Sequence, residues 1–389
     1  MREQSQTCLD SAERKGQSPQ GNVPNLRFPE FNGEWSHGEL KDIATLSKGS
    51  GISKDQLSDF GNPCILYGEL YTKYKSEIIK EVVSKTNIDN SSLVQSKAND
   101  VIIPCSGEAA IEIATARCVT MDYILLGGDL NIIRLNDQDG GFFAYQLNGK
   151  RKVDIAKVVQ GVSVVHLYGE HLKRVKVTYP SLMEQKKISS FLTLLDERIA
   201  TQIKIIEKLE SLIKGLCQKL TQQGIPNITL NNCLECYSST LQESSVLETG
   251  DFPVYGATGV CGYTDSPEVI WDSILIIKDG ASVGVTYYAS GKYSAIGTLN
   301  RLIAKSGYSL RYLYYCLKVF NFAPYRTGLA IPHIYFRDYG KAKIWCPPIK
   351  EQNRIANALE KIEQKIATDK SLLEQLYSQK RFLLQAMFI

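Results

Sequence analysis

The residues of this 389-residue chain that could do chemistry are a glycine turn, four histidines and one cysteine pair. Gly-Ala-Ser-Val-Gly at 280–284 resembles a phosphate-cradling turn but lacks the lysine and following helix of a P-loop, while Gly284 and Gly291-Lys292 have the wrong spacing and no hydroxyl residue. The histidines are His37, His166, His171 and His333. His166 and His333 occupy matching places in an internal repeat, each ahead of a strand-like segment, which reads as a structural role. Cys233 and Cys236 form one Cys-x-x-Cys with no second pair or nearby histidine, so no zinc site is expected. No Asn-Pro-Pro-Tyr type motif for amino-group methylation is present. Asp196-Glu197 lies on a long amphipathic stretch and reads as a solvated outer face. The expectation is a reader, not an enzyme, with no cofactor and no metal.

What such a chain reads is suggested by where its charge lies. The net charge of +4 is modest, but from Gly280 to Arg337 there is no Asp or Glu. Lys292, Arg301, Lys305, Arg311, Lys318, Arg326 and Arg337 fall in that span, interleaved with tyrosines and phenylalanines from Tyr287 to Tyr325. Lys150, Arg151 and Lys152 make a milder cluster in the first half. Clustered cations neutralise phosphates, and aromatic rings pack on sugars and bases. Most of the tyrosines read as core. Lys150, Arg151, Lys152, Lys278, Ser282, Arg301, Arg311, Tyr325, Arg326 and Arg337 are the candidate nucleic-acid contacts.

The elements that must position these residues show up as a repeat. Pro180, Glu184-Gln185, Ile188 and Ile199-Ala200-Thr201 recur 167 positions later as Pro347, Glu351-Gln352, Ile355 and Ile366-Ala367-Thr368. Apolar residues step by four and three through Ile188, Leu192, Leu195, Ile199, Ile206 and Leu209. In the second copy they run through Ile355, Leu359, Ile362, Ile366, Leu373 and Leu376. Gln202 and Asp369 are polar interruptions at equivalent places. This is the seam of a coiled coil, with a proline where a missing N–H costs nothing and a glutamate at the positive end of each helix dipole. Two separate amphipathic helices are the plainer alternative. The repeat reaches into the globular parts, where His166-Leu167-Tyr168 matches His333-Ile334-Tyr335, Gly161 matches Gly328, and Tyr145 falls opposite Tyr312. Val101–Glu108 and Ile274–Gly284 read as equivalent strand-and-turn units, Val162–Tyr168 as a strand, and Leu310–Phe320 as a helix.

The predicted organisation is α+β. It comprises a disordered tail over 1–24, a first globular domain over 25–180, a long helix over 181–224, a second domain over 225–347 and a second long helix over 348–389. Hydrophobic content of 43% and charged content of 22% fit a globular protein. No apolar run approaches the roughly 18 residues that span a bilayer, and the polar N-terminus does not read as a secretory signal. Ten cysteines without disulfide-like spacing suit a reducing cytoplasm.

Leu26-Arg27-Phe28-Pro29-Glu30-Phe31 with Trp35, the turn at 280–284 and the doubled Pro-x-x-x-Glu-Gln-x-x-Ile helix starts together resemble the DNA specificity subunit of type I restriction-modification systems. The resemblance covers nearly the whole chain after about residue 25 and rests on the combination and the duplication. It implies two target-recognition domains with pseudo-twofold symmetry, each reading one half of a bipartite double-stranded DNA site and held apart by an antiparallel coiled coil. It further implies that methylation subunits, usually two, and restriction subunits dock on the chain and carry the chemistry. A specificity subunit serving a fused nuclease-methyltransferase, and a coiled-coil scaffold that does not touch DNA, are the competing readings.

Overall fold

The computed structural model describes residues 21–389; the tail expected over 1–24 lies mostly outside them. The chain divides into two compact units. One holds the described residues up to Thr201 together with Leu373–Ile389, and the other is Gln202–Leu372.

The first unit is built on a five-stranded sheet of β1 (Ala44–Lys48), β2 (Ile78–Ile79), β3 (Asp100–Pro104), β4 (Arg117–Val119) and β5 (Leu130–Leu135), in the order β1-β5-β3-β4-β2. Its pairings are antiparallel except for β2 on β4. Val101-Ile102-Ile103 is buried at every position, because the sheet is covered on both faces and β-branched residues suit a pleated surface packed on both sides. One face carries Ile102, Val119, Leu130 and Ile132 against Ile65, Leu70 and Leu126, which surround a second, smaller sheet. Helix α1 (Gly140–Asn148), buried through Phe142, Phe143, Tyr145 and Leu147, packs on β3 and β4. Asp139 caps it by accepting from the Phe142 N–H at 2.7 Å. The long helix α2 (Leu182–Thr221) follows.

In the second unit the sheet order is β6-β9-β7-β8, from β6 (Leu234–Ser238), β7 (Ser273–Ile277), β8 (Thr286–Ala289) and β9 (Leu299–Ala304). The three strands β6-β9-β7 repeat β1-β5-β3 in order and sense. Alternate residues of β7 face opposite ways, as the period of two requires. Ile274 and Ile276 enter the core formed with helix α3 (Leu310–Lys318) and the long helices, while Leu275 and Ile277 face Tyr293 and Ala295 beneath the smaller sheet. The second long helix is α4 (Ile349–Ala386).

Each domain is fixed to its long helix in the same way. The Gln185 side-chain amide donates to the Pro180 carbonyl at 2.9 Å, and its oxygen accepts from the Asp139 N–H at the head of α1. Gln352 donates to the Pro347 carbonyl at 2.7 Å and accepts from the Ser309 N–H at the head of α3. Both glutamines are buried, and each satisfies an orphan group at a helix start.

A carboxylate recurs about three turns further along each long helix, buried at Asp196 and half-buried at Glu363. Tyr145 donates to Asp196 in the first unit and Tyr315 to Glu363 in the second, at 2.9 and 2.8 Å. This corrects two expectations. Asp196 is not solvated: Lys380 and Ser76 also bind it, within a buried cluster that includes Glu77. The counterpart of Tyr145 is Tyr315 and not Tyr312, because the stretch from α3 to α4 is three residues shorter than that from α1 to α2, so the constant offset fails at the domain helices. Val162–Tyr168 is also mostly not a strand; only Val165-His166 pairs, after a turn at Gly161 with φ +119.

Along the long helices Ile188, Leu192, Leu195, Ile199, Ile206, Ile355, Leu359, Ile366 and Leu376 are buried, whereas Leu209, Ile362 and Leu373 are half-buried. Within the second unit α2 and α4 run antiparallel, with Gln202 beside Asp369 and Glu210 ion-paired to Lys370 at 2.7 Å. The Gln202 amide donates to the Asp369 backbone carbonyl at 3.3 Å, while the Asp369 carboxylate takes Lys365 at 2.5 Å and keeps one buried oxygen without a partner among the described residues.

These buried polar groups generate two predictions. Burial raises the Glu77 pKa, and although burial opposes the Lys380 charge, Glu77 and Asp196 together raise its pKa. Lys380→Met leaves two buried carboxylates unpaired and should cost roughly 3–5 kcal/mol in denaturant unfolding. A carboxylate whose folded pKa is raised takes up its proton more readily folded than unfolded. The deficit should therefore shrink as pH falls from about 8 to about 5; a deficit that does not change with pH would refute this account. Changing Gln202 and Asp369 together to Leu should raise the melting temperature, since the unsatisfied oxygen is removed and the seam becomes continuous; a lower one would show the polar pair to be stabilising.

Candidate nucleic-acid interface

The second unit collects part of its cationic span around one turn. Strand β7 ends at Ile277, and the chain then reverses through Lys278–Val285. Gly284 takes φ +91 and a Cβ there would meet the Phe322 ring, so any side chain brings both strain and a clash. The Arg326 guanidinium donates to the Val283 carbonyl at 3.1 Å, and the Lys278 carbonyl accepts from the Ile334 N–H. His333 pairs with Asp279 at 2.7 Å. Lys278, Ser282 and Arg326 are thus brought together, with Ser282 and Arg326 exposed and Lys278 half-exposed.

The other candidates are placed elsewhere. Arg301 lies over the Tyr237 ring at 5.3 Å, opposite it in the β6–β9 register. Arg311 turns inward: it stacks 3.4 Å over Tyr288 and pairs with Glu360 at 2.9 Å. Burial first, and the Asp272 hydrogen bond next, push the Tyr288 hydroxyl up to about 12. Tyr325 stacks on Phe320, and Arg337 is exposed over Tyr335.

In the first unit the basic triplet is largely committed to structure. Arg151 donates to the terminal Ile389 carbonyl at 3.0 Å, and Lys152 is half-buried beside Thr115, where burial lowers its pKa. Lys150 is half-exposed.

A feature that sequence reasoning missed is a cleft of about 1120 Å³ lined by Lys54, Tyr67, Tyr71, Lys73, Gly128 and Asp129. Lys73 is tied to Glu69 at 2.6 Å, which leaves Lys54 as the cation there without an ion pair among the described residues. Its signal was the Gly49-Ser50-Gly51 and Gly127-Gly128 turns, where a Cβ at Gly49 would strike the Gly127 backbone. Among the described residues no cluster of His, Cys, Asp or Glu could hold a metal ion, and no helix is long and apolar enough to cross a membrane.

Comparison with known proteins gives this geometry its context. The family model described as the type I restriction modification DNA specificity domain matches residues 32–211 and 237–378. A protein of Methanocaldococcus jannaschii named as the MjaX specificity subunit of a type I restriction enzyme is 24% identical, over 94% of this chain and 95% of its own. A specificity subunit of the same class named for Haemophilus influenzae is 26% identical over 121 residues, 30% of this chain and 31% of its own. In fold, the chain is similar to the crystal structure of the type I restriction-modification S subunit from M. genitalium. The TM-score is 0.67 at 19% identity, over 94% of this chain and 99% of that one. A structure from work on the assembly and conformational transition of a type I system gives 0.53 at 16% identity, over 91% and 96%. Family match, duplicated domains and paired long helices agree: this chain belongs to the type I restriction-modification DNA specificity family and is the recognition component of such a system, not its catalyst.

Proposed function

We propose that each unit reads one half of a bipartite double-stranded DNA site, and that methylation and restriction subunits of the same system dock on the chain to modify or cut it. The observation that carries this reading is the repetition of one scaffold, three strands and a helix on a glutamine joint, beneath two different outer surfaces. The DNA-facing surface of the second unit is the turn bearing Lys278, Ser282 and Arg326, with Arg301 and Arg337 as further candidates; in the first unit it is the cleft with Lys54 and Tyr67. The same reading puts the chain in the cytoplasm, beside the DNA, where the nine described free cysteines would stay reduced. A scaffold without DNA contact would have no use for the acid-free cationic span.

Exchanging residues 225–347 for the corresponding stretch of a relative should alter one half of the methylated sequence and leave the other unchanged when methylated bases in the host genome are mapped. A change in both halves, or in neither, would overturn the half-site reading.

Salt dependence separates contact from structure. Lys278→Ala and Arg326→Ala should each flatten the log–log slope of DNA affinity against salt by about 0.9. Arg311→Ala should leave that slope alone and lower stability instead, because its charge is spent on Glu360 and Tyr288. The reverse pattern would place Arg311 on the DNA.

A further inference from the structure

Large hydrophobic residues are exposed at matching repeat positions, 167 apart, in four pairs among the described residues, and three of those pairs fall in one short segment. Val162 and Leu329 are 96% and 108% exposed, Val164 and Ile331 54% and 58%, and Tyr168 and Tyr335 both 44%. The segments share a backbone. Gln160 and His166 exchange both amide hydrogen bonds, as Thr327 and His333 do, which closes the same loop in each unit. Gly161 and Gly328 have φ of +119 and +88, and a Cβ on either would strike the carbonyl oxygen three residues on. Leu167 and Ile334, at matching places, are buried and anchor the loop's return.

Soluble proteins do not keep three aliphatic and aromatic side chains in water at one place without use, still less at the same place twice. If the two units read different half-sites, the surfaces that touch bases must differ between them. A surface kept alike in both must face something alike in both. The loops at 160–166 and 327–333 contain no Lys, Arg, Asp or Glu, although the second lies within the cationic span. Phosphate would call for charge; an uncharged apolar tip calls for a pocket on a protein. We infer that these loops are twin docking knobs, each inserting its two aliphatic residues into an apolar pocket on one of two identical methylation subunits. This rests on the proposal that such subunits dock here, and assigns the contact.

The test co-expresses the full chain with the methylation subunit of its own system and measures the mass of the purified assembly. Val162→Asp with Val164→Asp should remove one of two copies, Leu329→Asp with Ile331→Asp likewise one, and all four changes both. DNA affinity of the chain alone should stay within about twofold, since no cation is touched. Unchanged stoichiometry with DNA affinity down tenfold or more would assign the loops to DNA, as wedges into a groove, and overturn the inference; no change in either would overturn it too. If the unaltered chain retains no methylation subunit, the partner reading itself fails, which is a different result from loss only in the variants. Because all four side chains are exposed, the variants should melt with the parent, and Val162→Ala with Val164→Ala offers a milder pair should either aspartate variant not fold.

Discussion

Everything in each unit depends on where its domain helix starts, and that point is held by one buried glutamine. A helix start leaves amide groups without partners, and a buried one must find them in side chains. Gln185 and Gln352 do this across elements: one end holds the proline carbonyl that begins the long helix, the other the first amide of the domain helix. A shorter side chain could not span the two. An apolar one would strand two backbone groups at a cost of about 1–3 kcal/mol each. The sheet rests on the domain helix, and the surface turns hang from the sheet, so the orientation of the turn at 278–285 traces back to this joint.

The joint is legible in the amino-acid sequence because it is local. Pro-x-x-x-Glu-Gln recurs with no gap before the seam residues, and a helix period written twice at one offset has few other physical explanations. The β-branched run at 101–103 and the Ile274–Ile277 run likewise announce buried strands. What escapes is non-local. Asp196 reads like one of many helix-surface carboxylates, since its partners Tyr145, Glu77 and Lys380 lie far along the chain. Three residues lost between α3 and α4 move the tyrosine role from the position opposite Tyr145 to Tyr315. Clustered charge is an equally blunt guide: Arg311 and Arg151 belong to the cationic stretches, yet one is spent on Glu360 and the other on the chain terminus.

The two polar locks show what a duplication must keep and what it is free to change. Both units keep a carboxylate on the long helix and a tyrosine on the domain helix. The lysine is supplied differently: Lys318 comes from the domain helix itself, whereas Lys380 comes from the last turns of α4. Geometry at the joint is therefore shared, and the charge that neutralises it is improvised.

That difference bears on how the protein comes off the ribosome. The second unit is one continuous stretch, Gln202–Leu372, with its lysine already inside it. The first unit is not, for it needs Leu373–Ile389: Ala386 accepts from the Leu26 N–H, Phe388 packs on Phe142, and Lys380 enters between Glu77 and Asp196. The half synthesised first is thus the half closed later, and it carries two carboxylates without their lysine and an open aromatic core until Leu373–Ile389 has been made. A chain that stops at Leu372 would hold the whole second unit and an unsealed first one, so closure of the first unit reports that the last turns of α4 have been made.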